Sequence, residues 1–325
     1  MENGTITIGT SGVITGVDQI GEAAGSTITC TGSPTIGFRR WRQRVTGWTR
    51  ATSTLKNETN SGTFKSADYG VPYHLTMDNS GSTMTFNGAV EVLGNLTITA
   101  GTIDTSGSNY ALTVTGLTTL GAGGAEDAAT LTCNASAVSL GTGVTSGYGL
   151  TVNQGGTFVG GTGAHIIGSL NTTSHADCKV TLSTGVTTVN GESGNYMWIV
   201  YGDTTFDAAG GTVEFGYGGA SRINHYQQDL YNVIINHSSA DYTMTVPLTV
   251  ANNLTISLGE LDTGADKALT VGGIITNNAT LDANASALSV GGIRTQSTGY
   301  TGTGTITVTG TGGILEGNLD DAIIN

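Results

Sequence analysis

Four pairs of carboxylates stand close together in the sequence and could act as the acid and base of a polysaccharide-cleaving enzyme. Such enzymes hold two carboxyl groups at a separation that sets the stereochemical outcome. The pairs are Glu126/Asp127, Asp203/Asp207, Asp262/Asp266 and Asp320/Asp321. Asp203 and Asp207 have histidine, arginine and aromatic residues nearby in the sequence, whereas Asp262 recurs as Asp104 in an internal repeat and is interpreted as structural. No residue is assigned as catalytic, and a polysaccharide-degrading spike is kept as the alternative from a different class.

Potential metal ligands are scattered along the chain. The stretch GAGGAED at 121–127 departs from the G-G-x-G-x-D calcium loop and occurs once. His175 and Cys178 form half of a metal site without a second half. The three cysteines, which include Cys30 and Cys133, are an odd number without metal-like spacing. The sequence therefore predicts no metal, no cofactor and no disulfide framework, with each cysteine in a strand as a small apolar residue.

Aromatic residues are concentrated between positions 196 and 231, which hold eight of the twenty in the chain. Aromatic side chains with polar tips are good anchors for sugars or protein surfaces. One interpretation is a receptor or glycan surface formed by Tyr196, Trp198, Tyr201, Tyr217, Arg222 and Tyr226. The alternative is that these side chains fill the core at the junction of two repeat units, where a regular ladder cannot continue.

The segment FRRWRQRVTGWTR at 38–50 combines five arginines with two of the three tryptophans. Both residue types are enriched at interface hot spots, and an acidic body would offer a complementary surface in a neighbouring copy. We therefore predict a docking segment whose contacts come from Arg39, Arg40, Trp41, Arg42, Arg44, Trp48 and Arg50. A solvated loop and a nucleic-acid-binding segment, with tryptophans stacked on bases, are the alternatives.

Charge and hydropathy exclude several classes of partner. The formal charge is −13, which argues against nucleic acid because phosphates favour a basic surface. Residues 39–65 nevertheless carry seven of the eleven lysines and arginines. No run of 18 apolar residues is present, so we expect no membrane insertion. The beginning MENGTITIGT lacks the features of a signal peptide, which argues against general secretion if Met1 is the natural start.

An eleven-residue phrase occurs twice in the chain, 158 residues apart. NLTITAGTIDT begins at Asn95 and NLTISLGELDT begins at Asn253. The match continues between 130–141 and 280–291, which are identical at eight of twelve positions. It extends backwards to a shared tyrosine, and a Gly-Thr strand precedes each copy. Two copies of one structural unit are therefore predicted.

Short strands with a period of two are predicted inside each copy. Leu96, Ile98 and Ala100 point to one side, and Gly, Asn, Asp or Ser occupies nearly every gap. The gaps are too short for crossover helices. Glycine accounts for 52 of 325 residues and charged residues for 11%, as expected where like side chains stack about 4.8 Å apart. An all-β parallel β-solenoid (β-helix) with little or no α-helix is favoured over a β-sandwich.

The repeats divide the chain into five predicted regions. These are an N-terminal cap and docking region at 1–61, repeat unit one at 62–156, connecting coils at 157–210, repeat unit two at 211–313 and a C-terminal cap at 314–325. The pairs Asn95/Asn253 and Asn134/Asn284 are predicted to be turn residues of the ladder. The stack is expected to be a rod about 60–75 Å long.

The repeats carry a resemblance to a known group of proteins. The phrases YNVIIN, LTV, NNLTIS, LDT and ALTVGG between positions 231 and 273, and their counterparts at 73–116, resemble repeats of β-solenoid structural proteins of phage virions and of bacterial surface adhesins or filaments. Members of that group serve as tail fibres, spikes, filaments and adhesins. Residues 1–60 and 157–200 show little of this resemblance.

The resemblance implies a structural subunit of a phage virion, located in the virion, that self-assembles and contacts a host-surface glycan. Its expected partners are further copies of itself, as a trimer or end to end, and other virion or surface proteins. The alternative is an extracellular filament or adhesin subunit of a microbial cell surface. Neither function requires catalysis, so the chain is expected not to be an enzyme.

Overall fold

The structure, a computed structural model, describes residues 5–9, 12–20, 27–41, 47–49, 51–57, 62–64, 71–124, 128–144, 146–226, 229–295, 299–310, 315–317, 319 and 323–324. These residues form short β-strands joined by turns, and none of them lies in a helix. The strands are β1 (Thr5–Ile8), β2 (Val13–Ile20), β3 (Thr27–Cys30), β4 (Thr35–Trp41), β5 (Gly47–Thr49), β6 (Thr54–Asn57), β7 (Gly62–Phe64), β8 (His74–Phe86), β9 (Val90–Val92), β10 (Leu96–Asp104), β11 (Leu112–Val114), β12 (Thr118–Leu120), β13 (Ala129–Thr132), β14 (Val138–Leu140), β15 (Leu150–Val152), β16 (Gly156–Val159), β17 (His165–Ile167), β18 (Leu170–Thr172), β19 (Lys179–Thr181), β20 (Val186–Val189), β21 (Tyr196–Val200), β22 (Thr205–Asp207), β23 (Thr212–Phe215), β24 (Ala220–His225), β25 (Asn232–Met244), β26 (Leu248–Val250), β27 (Leu254–Asp262), β28 (Leu269–Asn277), β29 (Thr280–Asn284), β30 (Leu288–Thr295), β31 (Tyr300–Gly302), β32 (Thr305–Val308), β33 (Leu315–Glu316) and β34 (Ile323–Ile324).

Between β11 and β24 three strands make one coil, and each strand pairs in parallel with the strand three positions away in the chain. Face A contains β12, β15, β18, β21 and β24, face B contains β13, β16, β19 and β22, and face C contains β11, β14, β17, β20 and β23. Some strands are long enough to bend from one face to the next. Thus Leu96 of β10 pairs with Thr118 on face A, and Thr102 of the same strand pairs with Thr130 on face B. The predicted parallel β-solenoid is confirmed, with about 12 turns.

The core runs along the axis of the coils and is filled by alternate residues of each strand. In β12 and β15 the first and third side chains are buried and the middle one is not. Aromatic rings also pack against one another between coils, since Phe64 lies 6.0 Å from Phe38 and 6.2 Å from Phe86 between ring centroids, with the ring planes tilted. Burial of the apolar column, at roughly 25 cal/mol per Å², is the main favourable term for the stack.

The repeated aspartates bind the next coil, as their recurrence in both copies indicated. Asp104 Oδ1 accepts hydrogen bonds from the Ser106 amide and from Asn134 Nδ2, each at 2.7 Å. In the second copy, Asn284 Nδ2 donates to Asp262 Oδ1 at 2.7 Å. The two asparagines have φ angles of 51° and 49°, a left-handed conformation that asparagine tolerates better than most residues. These residues therefore have a structural role in linking adjacent coils.

The first asparagine of each repeat phrase also joins two coils. Asn95 Oδ1 accepts a hydrogen bond from the Leu117 amide at 3.0 Å, and Asn253 Oδ1 accepts one from the Ile274 amide at 2.9 Å. In each case the amide group belongs to the following coil. The prediction that Asn95/Asn253 and Asn134/Asn284 are turn residues of the ladder is confirmed.

The two repeat copies lie on different faces of the solenoid. Leu96 at the start of β10 pairs with strands of face A, whereas its counterpart Leu254 at the start of β27 pairs with Val233 and Ile275 on face C. Between them face A is continued by β12, β15, β18, β21, β24 and the end of β25, after which two further strand segments follow. The copies are therefore separated by six coils and two thirds of a coil, and the second is turned by one face about the axis.

Strand pairing also changes which strand of the first repeat copy corresponds to the strand that precedes the second copy. Thr212–Phe215 pairs with the beginning of β25, as Thr54–Asn57 pairs with the beginning of β8. Gly62–Phe64 instead pairs with the end of β8. The counterpart of Thr212–Phe215 is therefore Thr54–Asn57, and the alignment of the two Gly-Thr strands in the sequence does not match the structure.

Candidate binding surfaces

The predicted docking segment lies in the first coils. Arg39, Arg40 and Trp41 belong to β4, and Trp48 belongs to β5. Backbone pairing of Trp41 with Phe64 joins this segment to the stack. The remaining residues of the prediction, Arg42, Arg44 and Arg50, lie outside the described residues. Docking through this segment stays a prediction.

Trp198 is not part of any surface, and its assignment to a glycan surface was wrong. The side chain is fully buried. Its ring packs edge-on against Phe206 and Phe215, with centroid distances of 6.1 Å and 5.8 Å. The indole Nε1 donates a hydrogen bond to Nδ1 of the buried His225 at 3.1 Å. The alternative interpretation, that aromatic residues fill an irregular part of the core, is correct for this residue.

Tyr217 belongs mainly to the edge of the same core. It is half-buried against the apolar cluster, and its carbonyl oxygen accepts a hydrogen bond from the hydroxyl of buried Tyr242. The Tyr242 ring contacts Phe215 at 6.2 Å between centroids. Burial is the first cause that raises the pKa of the Tyr242 hydroxyl, so this group stays protonated.

Tyr196 and Arg222 form a pair at the start of face A on adjacent coils. The Arg222 guanidinium carbon lies 5.6 Å from the centroid of the Tyr196 ring, within the range of a cation–π interaction. Tyr148, from the long connection before β15, lies close enough for Tyr201 and Tyr196 to contribute to its raised pKa, after burial as the main cause. Tyr148 thus lies near two tyrosines of the β21 coil, although it is distant from them in the sequence.

Tyr201 and Tyr226 form the most exposed aromatic pair, here called the tyrosine pair. Their rings are stacked, with centroids 6.3 Å apart and planes inclined by 12°. Their exposed fractions are 37% and 55%. Each residue directly follows a strand of face A, β21 or β24, so the pair marks the corner between face A and face B. Trp198 is therefore removed from the predicted surface, whereas Tyr196, Tyr217, Arg222 and the tyrosine pair remain in it, and binding by these residues stays a prediction.

A groove of about 340 Å³ opens at the corner between face B and face C, here called the carboxylate groove. It is lined by residues 207–210, Asp229, Tyr231 and Ala251. Asp207 accepts a hydrogen bond from the Ala209 amide at 2.8 Å, while Asp229 and Tyr231 are exposed. Asp229 could not be identified from its sequence neighbourhood, because no carboxylate lies near it in the chain, and the stacking of coils places it in the same groove as Asp207.

The pair Asp203/Asp207, which the sequence marked for its aromatic surroundings, is divided between two corners. Asp203 Oδ2 accepts a hydrogen bond from the Ser174 hydroxyl of the preceding coil at 2.8 Å. Asp207 lies at the other end of β22 and binds its own turn. These contacts give each carboxylate a structural partner.

Four acidic residues are stacked on face A in the second repeat copy. Asp241 pairs with Glu260, and Asp262 pairs with Asp282 on the next coil. Burial raises the pKa of Glu260, and the charges of the three aspartates raise it further. Three of these four positions are threonine in the first copy, at Thr83, Thr102 and Thr132. The ladder of like charges arises from divergence of the two copies.

In the described part of the chain, side chains that could bind a metal ion are not clustered, and the cysteine thiols are buried. This part of the chain contains no group of three or more His, Cys, Asp or Glu side chains placed to hold a metal ion. Cys30, Cys133 and Cys178 are free and buried, and burial raises the pKa of the Cys133 and Cys178 thiols. Nor does this part of the chain include a helix that is long and apolar enough to cross a bilayer.

The chain matches no protein-family model, and comparisons with curated proteins and with solved structures gave no significant match. A functional assignment therefore depends on the solenoid itself and on the surfaces described above. Among these, the tyrosine pair and the carboxylate groove combine exposure with side chains capable of recognition.

Proposed function

We propose that the protein is a structural β-solenoid subunit of a phage virion, of the tail-fibre, spike or surface type. It forms a stiff element and presents side chains along its faces. The virion is its proposed location. A subunit of an extracellular filament or adhesin, located at a microbial cell surface, has the same architecture and is the alternative.

One observation carries the structural role. On face A, an uninterrupted series of parallel pairings leads from β2 through β4, β6, β8 and β10 to β31. At about 4.8 Å per coil, the roughly 12 turns form a stack about 60 Å long. Such a stack resists bending because every coil is hydrogen-bonded to both neighbours, and stiffness is what a fibre or spike requires.

The proposed partners are further copies of the same chain and other surface proteins of the particle. The terminal coils of a solenoid present unpaired backbone groups, which a neighbouring subunit can cover. The cationic segment at 38–50 complements a chain whose net charge is −13. A trimer or an end-to-end assembly is therefore expected.

Two measurements test this proposal. Light scattering and electron microscopy of the purified chain should show oligomers or filaments of rods, and a monomer at high concentration would refute self-assembly. Mass spectrometry of purified particles and of cell-surface fractions from the source organism should find the protein in the particles. Its presence in the surface fraction alone would replace the virion by the filament or adhesin.

We propose that the chain is not an enzyme. The hydrogen bonds of Asp203 with the Ser174 hydroxyl and of Asp207 with the Ala209 amide support this view, because each carboxylate has a structural partner. Incubation with capsular or cell-wall glycans should release no reducing ends. Release of reducing ends that is lost in an Asp207→Asn variant would identify a polysaccharide-degrading spike instead.

A further inference from the structure

The carboxylate groove is lined by small residues together with polar residues. Ala208, Ala209, Gly210 and Ala251 are among its lining residues, so a ligand can approach the backbone closely. Ala209 and Gly210 have φ angles of 54° and 74°, which turn the chain sharply after β22 and open the corner. The rim carries two carboxylates and a tyrosine whose exposed fraction is 40%. A concave surface with a few convergent polar groups is typical of a ligand site.

The first repeat copy does not have the same side chains at the corresponding positions. At a spacing of 158 residues, Tyr231 corresponds to Tyr73, but Asp229 corresponds to Val71 and Ala251 to Leu93. Tyr73 lines a different groove, and its ring contacts His74 at 4.6 Å between centroids. The second copy therefore keeps the tyrosine, loses a bulky apolar side chain and gains a carboxylate. A purely structural repeat would not require this combination of changes.

The tyrosine pair lies at the other edge of the same face. Tyr201 precedes β22 and residues 207–210 follow it, so face B separates the pair from the groove. Because β22 has three residues, this separation is on the order of 10 Å. On the next coil Tyr226 stacks on Tyr201, and Asp229 lines the groove. The two surfaces together form a strip several sugar rings long, with aromatic faces at one end and carboxylates at the other.

We propose that this strip binds a glycan whose sugars carry free amino groups. Asp207 and Asp229 would accept charge-assisted hydrogen bonds from the ammonium groups. Tyr231 and the tyrosine pair would contact the apolar faces of the sugar rings. Anionic glycans would be repelled by both carboxylates and by the negative charge of the chain. This inference adds a ligand to the proposed rod, and the assembly of the rod does not depend on it.

The binding can be measured by isothermal titration calorimetry with the β-1,4-linked hexamer of glucosamine, using the complete chain at pH 6. The fully N-acetylated hexamer and hexagalacturonate serve as neutral and anionic comparisons. We expect the glucosamine hexamer to bind at least tenfold more tightly than the acetylated one, and hexagalacturonate not to bind. Raising the salt concentration from 50 to 500 mM should weaken binding, because the Debye length falls from roughly 14 to about 4 Å.

Matched variants distinguish the strip from the general negative charge of the protein. Tyr231→Ala and Asp229→Asn should each weaken binding of the glucosamine hexamer by about tenfold or more. Tyr73→Ala, which removes the corresponding tyrosine of the first copy, should change it less than twofold. Circular dichroism of all three variants verifies that the solenoid is intact.

Three outcomes would overturn the inference. The first is no binding of the glucosamine hexamer at millimolar concentration. The second is equal affinity in Tyr231→Ala and Tyr73→Ala, which would show binding to diffuse charge. The third is binding of the acetylated hexamer with equal affinity, which would assign no role to the ammonium groups. None of these outcomes affects the proposed rod, whose refutation is a monomer in light scattering.

Discussion

A buried histidine should make the stability of the solenoid depend on pH. His165 of β17 points inward on face C with an exposed fraction of 1%, between Val138 and Thr187 on the adjacent coils. Its ring packs edge-on against Phe158 at 5.8 Å between centroids. Neither ring nitrogen has a hydrogen-bond partner among the described residues. Burial without partners favours the neutral ring.

Burial, the larger cause, lowers the pKa of His165 from 6.5 to about 4, and the nearby Gly160 backbone opposes this shift. The unfolded chain therefore binds a proton between pH 6.5 and 4, whereas the folded chain does not. The contribution of the neutral, buried His165 ring to the free energy of unfolding is fully present above pH 6.5 and is lost as the pH decreases towards 4. The total loss is about 3 kcal/mol, at 1.36 kcal/mol for each unit of difference between the folded and unfolded pKa.

The test is His165→Leu, which retains an apolar side chain at this position of the core. At pH 7 we expect the variant to be more stable by about 1–2 kcal/mol, because an unpaired buried polar group is removed. Between pH 7 and pH 4 the wild type should lose about 3 kcal/mol more than the variant. Urea unfolding followed by circular dichroism at several pH values measures both quantities. The surface variant His175→Gln is the control and should lose stability with pH as the wild type does. If His165→Leu also follows the wild-type pH profile, burial of a neutral imidazole is not the cause.

Three further predictions concern the hydrogen bonds between coils, the acidic ladder on face A and the buried cysteines. Asn134→Ala removes the hydrogen bond to Asp104 and places alanine at a φ of 51°, so urea unfolding should show that the free energy of unfolding falls by about 2–3 kcal/mol. The exposed control Asn278→Ala should lose less than about 0.5 kcal/mol, and equal losses would contradict the coil-linking role of Asn134. Glu260→Gln should raise the urea midpoint of unfolding at pH 7 and leave it unchanged at pH 3. The raised pKa of the Glu260 carboxyl gives stability that is present below the unfolded pKa of 4.5 and is lost as the pH rises through the folded pKa. A lower midpoint at pH 7 would refute repulsion in the acidic ladder. The three buried cysteines should react with iodoacetamide after unfolding in guanidinium and much more slowly before it, and rapid labelling of the native protein would show that these thiols are accessible.

The fold class and the residues that join the coils could be predicted from the amino-acid sequence. A period of two, turn residues in nearly every gap and a shortage of charge are local properties, and stacking of like side chains every 4.8 Å follows from them. The same reasoning identified Asn95 and Asn134 correctly, because a left-handed turn or a coil-to-coil bond depends on a few neighbouring residues. The internal repeat could be recognised for the same reason, because its two copies share a local sequence.

The tertiary structure alone decided which side chains share a face. Coils differ in length, since Thr118 pairs with Leu150 and Leu150 pairs with Leu170. Loop lengths of this kind add up along the chain, so the second repeat copy is turned by one face, which no local pattern reveals. The same accumulation places Asp207 beside Asp229. Trp198 is buried and Tyr201, three residues later, is exposed, although both belong to the aromatic stretch that the sequence marked as one surface. The local sequence determines the strands and turns of each coil, and the cumulative loop lengths determine which side chains become neighbours on the surface.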